Sequence, residues 1–509
     1  MQLLVREYDE DPSKGDRQSN SDGRRHGDLQ HEYQEFVVDV DVPNNHESDT
    51  ISKKRIQAAS INRRNQRRGH HQARRALKEL FLPIGFPSSV EDGYLEYQLY
   101  DSLQGLCSYL RGVLCSAQVL EAAGVGSVEA TALSAAMTWA LKDGVSMIGG
   151  LFFSYLASPL FDSYVKEFRL FADVVNDVGL TLDMLAPYFG RDNLLWVASA
   201  AGLCKTLCGI SAGATKSSIT LHFAREGNMA DLNAKESTQE TLVSLLGMIL
   251  GVTLARWLQN MGKTASESNR VQWIVFIALT MLHVWANWKG VLLLRMKSLN
   301  RERAEQVLSP VIDELCNLSV SKQTTSKLKI DTAPLRKALT LVPMPSQVNE
   351  SIIASTMKMI YPGRLRLSSS VEVILGESLD FLKAAMYKEK YVISIDGSQN
   401  VLVSLLVGCS SRDELKAFVH ALVLLKASKS HTKAGDYTSK STSPDKSGLI
   451  RHTYDVVCTI FPDGQVDNLP NGESLSLFRE LENKGWEIHD RLYVGFSRRR
   501  SQWIHLKAE

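Results

Sequence analysis

Between residues 80 and 300 the chain alternates long apolar segments with short polar ones. The apolar segments fall at about 103–125, 130–160, 194–214, 242–258 and 273–294. Their length suits helices rather than strands. Only WIVFIALTMLHVWANWKGVLLL (273–294) has the full length of a membrane span, and it contains His283 and Lys289. The others are shorter, or are broken by Lys142 and Asp143 or by Lys205. Ionisable groups in such segments must face a bundle interior, a polar cavity or the interface, because facing lipid is costly. Two architectures satisfy this: a membrane-embedded bundle, and a large soluble helical core with buried ion pairs. Frequent glycine and the small-xxx-small pairs Gly209/Gly213 and Gly247/Gly251 favour the first.

The stretch HFAREGNMADLNAKESTQETLVSLLGMILG (222–251) passes from a dense polar run into a glycine-punctuated apolar helix. Ser237 and Glu240 stand in the S-x-x-E relation of a capping box, so the helix is expected to begin near Thr238. His222, Asn228, Asp231, Lys235 and Gln239 then form a polar cap at its mouth, facing a cavity in the bundle. In KEFRLFADVVNDVGLTLDMLAP, Phe168, Phe171, Val175, Val178, Leu182 and Leu185 make one apolar helical stripe that ends at Pro187. Lys166, Arg169, Asp173 and Asp177 fall on a second stripe, with Arg169 and Asp173 as i,i+4 partners. A solvated, salt-bridged face is the expected setting for that stripe. A strip lining an internal cavity is the rival.

Outside this region the patterning weakens. Residues 1 to about 75 read as disordered, with few aromatics and many Asp, Asn, Ser, Arg and Gly. Residues 53–75 carry Lys53, Lys54, Arg55, Arg63, Arg64, Arg67, Arg68, Arg74 and Arg75 with no acidic residue. That run is a solvated arm, a patch attracted to anionic lipid, or, more weakly, a nucleic-acid contact that lacks interleaved aromatics. Basic residues also follow the last apolar segment, at Arg295, Lys297, Arg301 and Arg303. By the positive-inside rule both flanks lie on one side, so four or six spans are expected. After about 305, Pro310, Pro334, Pro343 and Pro345 mark a hinge with weaker helices. KYVISIDG and NVLVSLLVG read as two strands, and SRDELKAFVHALVLLKAS as an amphipathic helix capped by Ser411. Residues 428–449 read as a loop, and SLSLFRELENKGWEIHDRLYVGF as a helix closed by Gly485 and followed by strand.

Composition adds limits rather than a reaction. A net charge of +2 excludes a globally basic nucleic-acid binder. Seven cysteines, an odd number, fit a reducing compartment better than a disulfide framework. Cys204 and Cys208 share a helix face but have no second pair at metal-ligand spacing. GISAGATKS (209–217) fails as a phosphate loop, because two residues separate Gly213 from Lys216. GVG (124–126) lacks the third glycine of a dinucleotide fingerprint. His222 and His283 are isolated in sequence, and no nucleophile–base pair is visible. The Met-Gln-Leu-Leu-Val start, followed by Glu7, Asp9, Glu10 and Asp11, resembles neither a signal peptide nor an organelle transit peptide.

Four blocks occur in order: FLPIGFPSSVEDGYLEYQLYDSLQGLCSYLRGVL, ALSAAMTWALKDG running into IGGLFF, KEFRLFADVVNDVGLTLDMLAP, and HFAREGNMADLNAKESTQETLVSLLG. Together they resemble the root UVB sensitive family over about residues 78–305, and SAGATKSSITLHFA with the C-terminal region points to a plant member of the sixth paralogous group. Gly93 is a departure, inserted where the motif runs from an acidic residue directly to Tyr. The resemblance implies a membrane-associated helical protein linked to plant development (embryo or seedling), UV-B response, auxin transport and vitamin B6 homeostasis. It carries over no catalytic residue. The polar positions matching the blocks include Asp101, Gln104, Lys142, Asp143, Arg169, Asp173, Asn176, Asp177, His222, Asn228, Asp231, Lys235, Gln239 and Glu240.

The expectation is a mainly α protein: a membrane-associated helical bundle with a small C-terminal α+β domain. Its parts are a disordered arm (1–76), a helical membrane domain (77–305), a linker with helices (306–365) and the α+β domain (366–509). It is read as a non-enzymatic, transporter-like or scaffolding protein of an intracellular membrane, without cofactor or metal. The plastid is one candidate organelle. Its expected partners are the membrane, other family members, and anionic lipid through 53–75. The polar cavity is expected from Asp101, Lys142, Asp143, Arg169, Asp173, Asp177, His222, Asn228, Asp231, Lys235, Gln239 and Glu240. The alternative is a soluble or peripheral helical protein binding pyridoxal phosphate or a partner enzyme, with Lys142–Asp143 and Lys235 as candidates by residue type alone.

Overall fold

The computed structural model describes residues 2–8, 33–39, 58–60, 76–123, 132–225, 227–261, 265–321, 333–348, 351–360, 363–370, 373–374, 389–433, 446–461 and 476–495. Within the arm expected to be disordered, β1 (Gln2–Tyr8) pairs antiparallel with β2 (Tyr33–Asp39), and β2 with β3 (Ala58–Ser60). QLLV and FVVD are short β-forming runs that a polar average conceals. The basic run outside β3 lies beyond the described residues.

The helical half consists of α1 (Tyr94–Ala122), α2 (Ala132–Ala157), α3 (Val165–Leu185), α4 (Leu194–Phe223), α5 (Met229–Met261) and α6 (Ala265–Leu293). Helix α1 is central and packs on α3, α5 and α6, while α4 packs on α3 and α2. Gly93 begins α1 in the left-handed region at φ 86, a conformation that favours glycine, so the inserted residue makes the turn before Tyr94. The Gly247/Gly251 pair seats α5 against α1. A Cβ at Gly247 would lie 2.7 Å from Tyr109 Cβ, and one at Gly251 would lie 2.9 Å from Val113 Cγ2. At Gly209 and Gly213 a Cβ would meet nothing within 4 Å, so the second pair seats no helix.

Three helices are long and apolar enough to cross a membrane: Leu194–Phe223, Met229–Met261 and Glu267–Leu293. The segments around 194–214 and 242–258 therefore qualify alongside the last, because their helices extend beyond the apolar core. By length and composition three helices qualify among the described residues, where four or six spans are expected. The 103–125 segment instead becomes α1, which carries the fully buried Arg111.

The surface of this half is apolar. On α2, Met147, Ile148, Leu151, Phe152 and Tyr155 are exposed, Tyr155 by 80%. Leu245, Ile249 and Trp257 on α5 and Ile274, Met281 and Trp285 on α6 are exposed as well. Its buried apolar groups form small separate clusters, one around Tyr94, Tyr97, Phe223 and Leu232, another around Cys115, Leu180, Met184 and Phe276.

The C-terminal half is built the usual way round. One continuous core joins Leu299 and α7 (Arg301–Ser321) to α8 (Ala333–Thr340), the sheet and the later helices. α7 runs through Pro310, which corrects the expected hinge there. After α9 (Ile352–Ile360), strands β5 (Leu365–Leu367), β6 (Tyr391–Ile395) and β7 (Val401–Leu405) form a sheet of order β5-β7-β6, with β6 and β7 antiparallel as the sequence implied. Two of the helices that follow are α10 (Ser411–Lys433) and α11 (Lys446–Cys458), which occupy both ends of the loop expected at 428–449; its middle lies outside the described residues. Ser410, not Ser411, caps α10: its hydroxyl accepts from Asp413 N at 3.3 Å, and Asp413 accepts from Ser410 N at 2.9 Å. α12 (Leu477–Asn483) ends at Gly485 (φ 86) and leads into β8 (Glu487–Tyr493). β8 pairs in parallel with β4 (Ser298–Asn300), which ties this half to the segment leaving α6.

Within this core His420 is fully buried between Tyr391 Oη and Thr453 Oγ1, each at 3.1 Å. Burial pushes its imidazole down to about 3, so it is neutral in the folded chain.

Candidate functional site

The polar stripe of α3 points inward. Lys166, Arg169, Asp173 and Asp177 are buried, whereas Val174 and Val178 are exposed. The expected solvated face is thereby corrected, and the inward-facing rival holds. The helix buries these charges beside Val165, Phe168, Leu180 and Met184 and leaves Val174 and Val178 exposed.

Along that stripe three groupings form. At one end Arg169 pairs with Asp101 of α1 rather than with the expected i,i+4 partner Asp173. In the middle, Arg111 Nη1 of α1 donates to Asp177 Oδ1 at 2.6 Å and to Thr280 Oγ1 of α6 at 3.1 Å. His283 Nδ1 lies 3.1 Å from the same Asp177 oxygen, and His283 Nε2 lies 4.0 Å from Asp173 Oδ1. At the far end Asp183 pairs with the half-exposed Lys205 of α4. Arg111 and His283 are both 0% exposed, and three polar atoms here have no hydrogen-bond partner: Arg111 Nη2, Asp173 Oδ2 and His283 Nε2. Buried polar atoms are rarely left so, and three around one point mark this centre as unusual.

A cavity of about 30 Å³ opens beside the Arg169–Asp101 pair. Gln98, Lys216, Thr220, Glu236 and Glu240 share its wall. Glu236 is buried with both oxygens held, one by Gln98 Nε2 at 3.0 Å and one by Thr220 Oγ1 at 2.7 Å. Lys216 bonds the exposed Glu240 at the rim. The space suits water rather than a vitamin-sized molecule.

The structure therefore splits the twelve expected residues. Asp101, Arg169, Asp173 and Asp177 lie in the network, and Glu240 at the rim of the cavity. Asn228, Asp231, Lys235 and Gln239 do not line it. They hold the segment before α1: Asn228 Nδ2 donates to Ser89 O at 2.6 Å, Gln239 Nε2 to Phe81 O at 2.6 Å and Lys235 Nζ to Glu79 O, while Asp231 Oδ2 accepts from Ile84 N at 2.8 Å. The reason is the helix start. α5 begins at Met229, nine residues before the expected start at Thr238, and Ser237 Oγ bonds back to Asn233 O at 2.9 Å. The polar run is thus a helix face that grips backbone. Glu91 reinforces the clamp. Burial works to raise its carboxyl, but hydrogen bonds from Arg225 (3.1 Å) and Lys297 (2.8 Å) outweigh that and hold it below the usual range.

His222 is buried with its ring 5.0 Å from that of Phe223, within the helix junction. Lys142 and Asp143 pair with each other at 3.3 Å on α2, Asp143 outward, with Lys142 over the Trp139 ring at 4.4 Å, so they stand apart from the network. The sequence reading missed Arg111 and Glu236 and set His283 aside as isolated. An arginine inside YLRGVLC was the available signal, since a lone charge in an apolar helix needs an internal partner. Among the described residues no group of three or more His, Cys, Asp or Glu is placed to hold a metal ion.

Comparison with known proteins places this geometry. A family model described as a vitamin B6 photo-protection and homoeostasis domain matches residues 67–314, and one described as root UVB sensitive protein, C-terminal, matches residues 342–503. Protein root UVB sensitive 3 of Arabidopsis thaliana is 34% identical over 373 residues, covering 71% of this chain and 77% of that protein. RUS family member 1 of Dictyostelium discoideum is 39% identical over 228 residues, 45% of this chain and 42% of its own length. Protein root UVB sensitive 6 of Arabidopsis thaliana is 25% identical over 180 residues, covering 35% of this chain and 36% of that protein, so the expected sixth-group placement gains no support. No solved structure matches. The two domain matches and the 34% identity across 77% of a plant relative show that the chain belongs to the root UVB sensitive family.

Proposed function

We propose that the chain is an integral protein of an intracellular membrane with a transporter-like role, serving the vitamin B6 homoeostasis that its matching domain is named for. The observation that carries this reading is the inversion of the helical half. A group of charges is buried around Arg111, Asp177 and His283, while many large apolar side chains of α2, α5 and α6 face out. In water such a surface is an aggregation liability, whereas in a bilayer it is the stable arrangement. A polar seam buried between helices supports the transporter-like reading, while the cavity beside Asp101 is water-sized. A scaffolding role is the second reading, in which the same buried pairs hold the helices together.

The membrane is the partner this reading demands. Contact of residues 53–75 with anionic lipid and association with other family members belong to it as secondary parts. The role in development, UV-B response and auxin transport follows only through the family. Alkaline extraction of membranes from cells expressing the full chain tests the core claim. Retention in the pellet supports it, and release into the supernatant overturns it.

A further inference from the structure

Taken together, the end and middle groupings on α3 are unbalanced in charge. Two guanidiniums, Arg111 and Arg169, face three carboxylates, the buried Asp173 and Asp177 and the partly buried Asp101. An uncompensated charge in such a place is strongly unfavourable, so the cluster is neutral only when it holds one more positive charge. His283 sits where that charge would settle. Its Nδ1 faces Asp177 at 3.1 Å, and its Nε2 faces Asp173 across 4.0 Å. That gap is too long for a direct hydrogen bond. Both His283 Nε2 and Asp173 Oδ2 lack any other partner.

The cluster lies on the polar stripe of α3, which runs from Arg169 to Asp183 over about 21 Å of helix. One end meets the water-sized cavity beside Asp101, and the other meets Lys205, which is partly exposed. A chain of carboxylates and a histidine along such a seam is the arrangement by which protons cross low-dielectric regions.

We propose that this cluster is a binding site for one exchangeable proton, shared between the His283 imidazole and the Asp173 carboxylate and reached through the polar seam of α3. The proton passes from protonated Asp173, through one bridging water, to His283 Nε2. Asp173 becomes carboxylate and His283 becomes imidazolium. The groups around His283 are Arg111 from α1, Asp173, Asp177 and more distantly Arg169 from α3, and Thr280 from its own helix. The Cys208 thiol of α4 lies within electrostatic reach of both aspartates. From α5 no ion pair or hydrogen bond to His283 forms among the described residues. The use of this proton, coupling it to a carried solute, rests on the transporter-like reading, but its binding does not.

Nitrogen-15 NMR of histidine side chains in the full chain, held in lipid nanodiscs, reads the site, with His283→Gln identifying the signal. On lowering the pH the His283 nitrogens should move from the unequal pair of a neutral imidazole to the near-equal pair of an imidazolium. In Asp173→Asn the same signal should stay neutral over the same range. A wild-type signal fixed in one form at every pH overturns the proposal without reference to any variant. So does an Asp173→Asn signal that follows the wild type. Alkaline extraction tests the membrane claim separately, so failure of one is distinguishable from failure of the other.

Discussion

Replacing Arg111 with leucine is the sharpest perturbation of the interior. Arg111 is 0% exposed and bonds Asp177 at 2.6 Å and Thr280 at 3.1 Å. Leucine leaves Asp177 buried with only His283 beside it. Breaking a buried pair from one side costs about 3–5 kcal/mol, chiefly because the remaining charge is stranded. For a domain of this size that corresponds to a fall in melting temperature of roughly 6–20 °C. The double variant Arg111→Leu/Asp177→Leu strands no carboxylate, and a buried pair exchanged for apolar groups is often close to neutral. It should therefore recover most of the loss. The assay is a thermal melt of the four proteins of the cycle in one lipid environment, followed by intrinsic fluorescence. The reasoning is refuted if Arg111→Leu melts within about 2–4 °C of the wild type, the span of about 1 kcal/mol. It is equally refuted if the double variant melts as low as the two single losses added together.

Other outcomes follow from the packing and the clamp. Gly247→Val should weaken α1–α5 seating by about 1–3 kcal/mol, while Gly213→Ala, with open space around it inside α4, should raise the melt slightly, by about 0.5–1 kcal/mol. Paired Asn228→Ala and Asp231→Ala should release the segment at 81–90, read as faster limited proteolysis there with α5 intact. His420 gives a pH effect of known sign. Its folded value, about 3, lies below the ordinary 6.5, so the unfolded chain binds the extra proton between those values. Stability is full above 6.5 and falls by about 1.4 kcal/mol per pH unit on acidification through that window. His420→Phe should flatten this part of the full chain's stability curve, and an unchanged slope would remove the assignment.

Much of the architecture is legible in the sequence, and the misses have physical causes. Periodicity finds α3 and its two stripes, but period alone does not say which stripe faces in, since that depends on whether the surroundings are water or lipid. Spacing finds Gly209/Gly213 and Gly247/Gly251 alike, yet only the second pair meets a neighbour, because Tyr109 and Val113 of α1 lie against it. Ser237 with Glu240 matches a capping box, but the backbone of 79–89 gives the earlier polar residues partners and lets the helix start at Met229. The polar residues of that junction were recognised as a group and misread in purpose. Arg111 and His283 lie far apart in the chain and meet through Asp177, a contact that only the fold supplies. The β6–β7 hairpin and the helix closed by Gly485 were readable because their signals are local.

On the proposed reading the exposed apolar side chains of the helical half face lipid, while Arg111, Asp177 and His283 stay inside. Trp139, Trp196, Trp257, Trp285 and Trp288 lie exposed on that half, whereas Trp486 is buried in the C-terminal core. Quenching of tryptophan fluorescence by lipids brominated along their acyl chains reads the claim directly in the reconstituted full chain. Strong quenching is expected, largely lost when those five tryptophans are replaced by phenylalanine. Emission indifferent to acyl-chain bromine in the unmodified chain would contradict that reading.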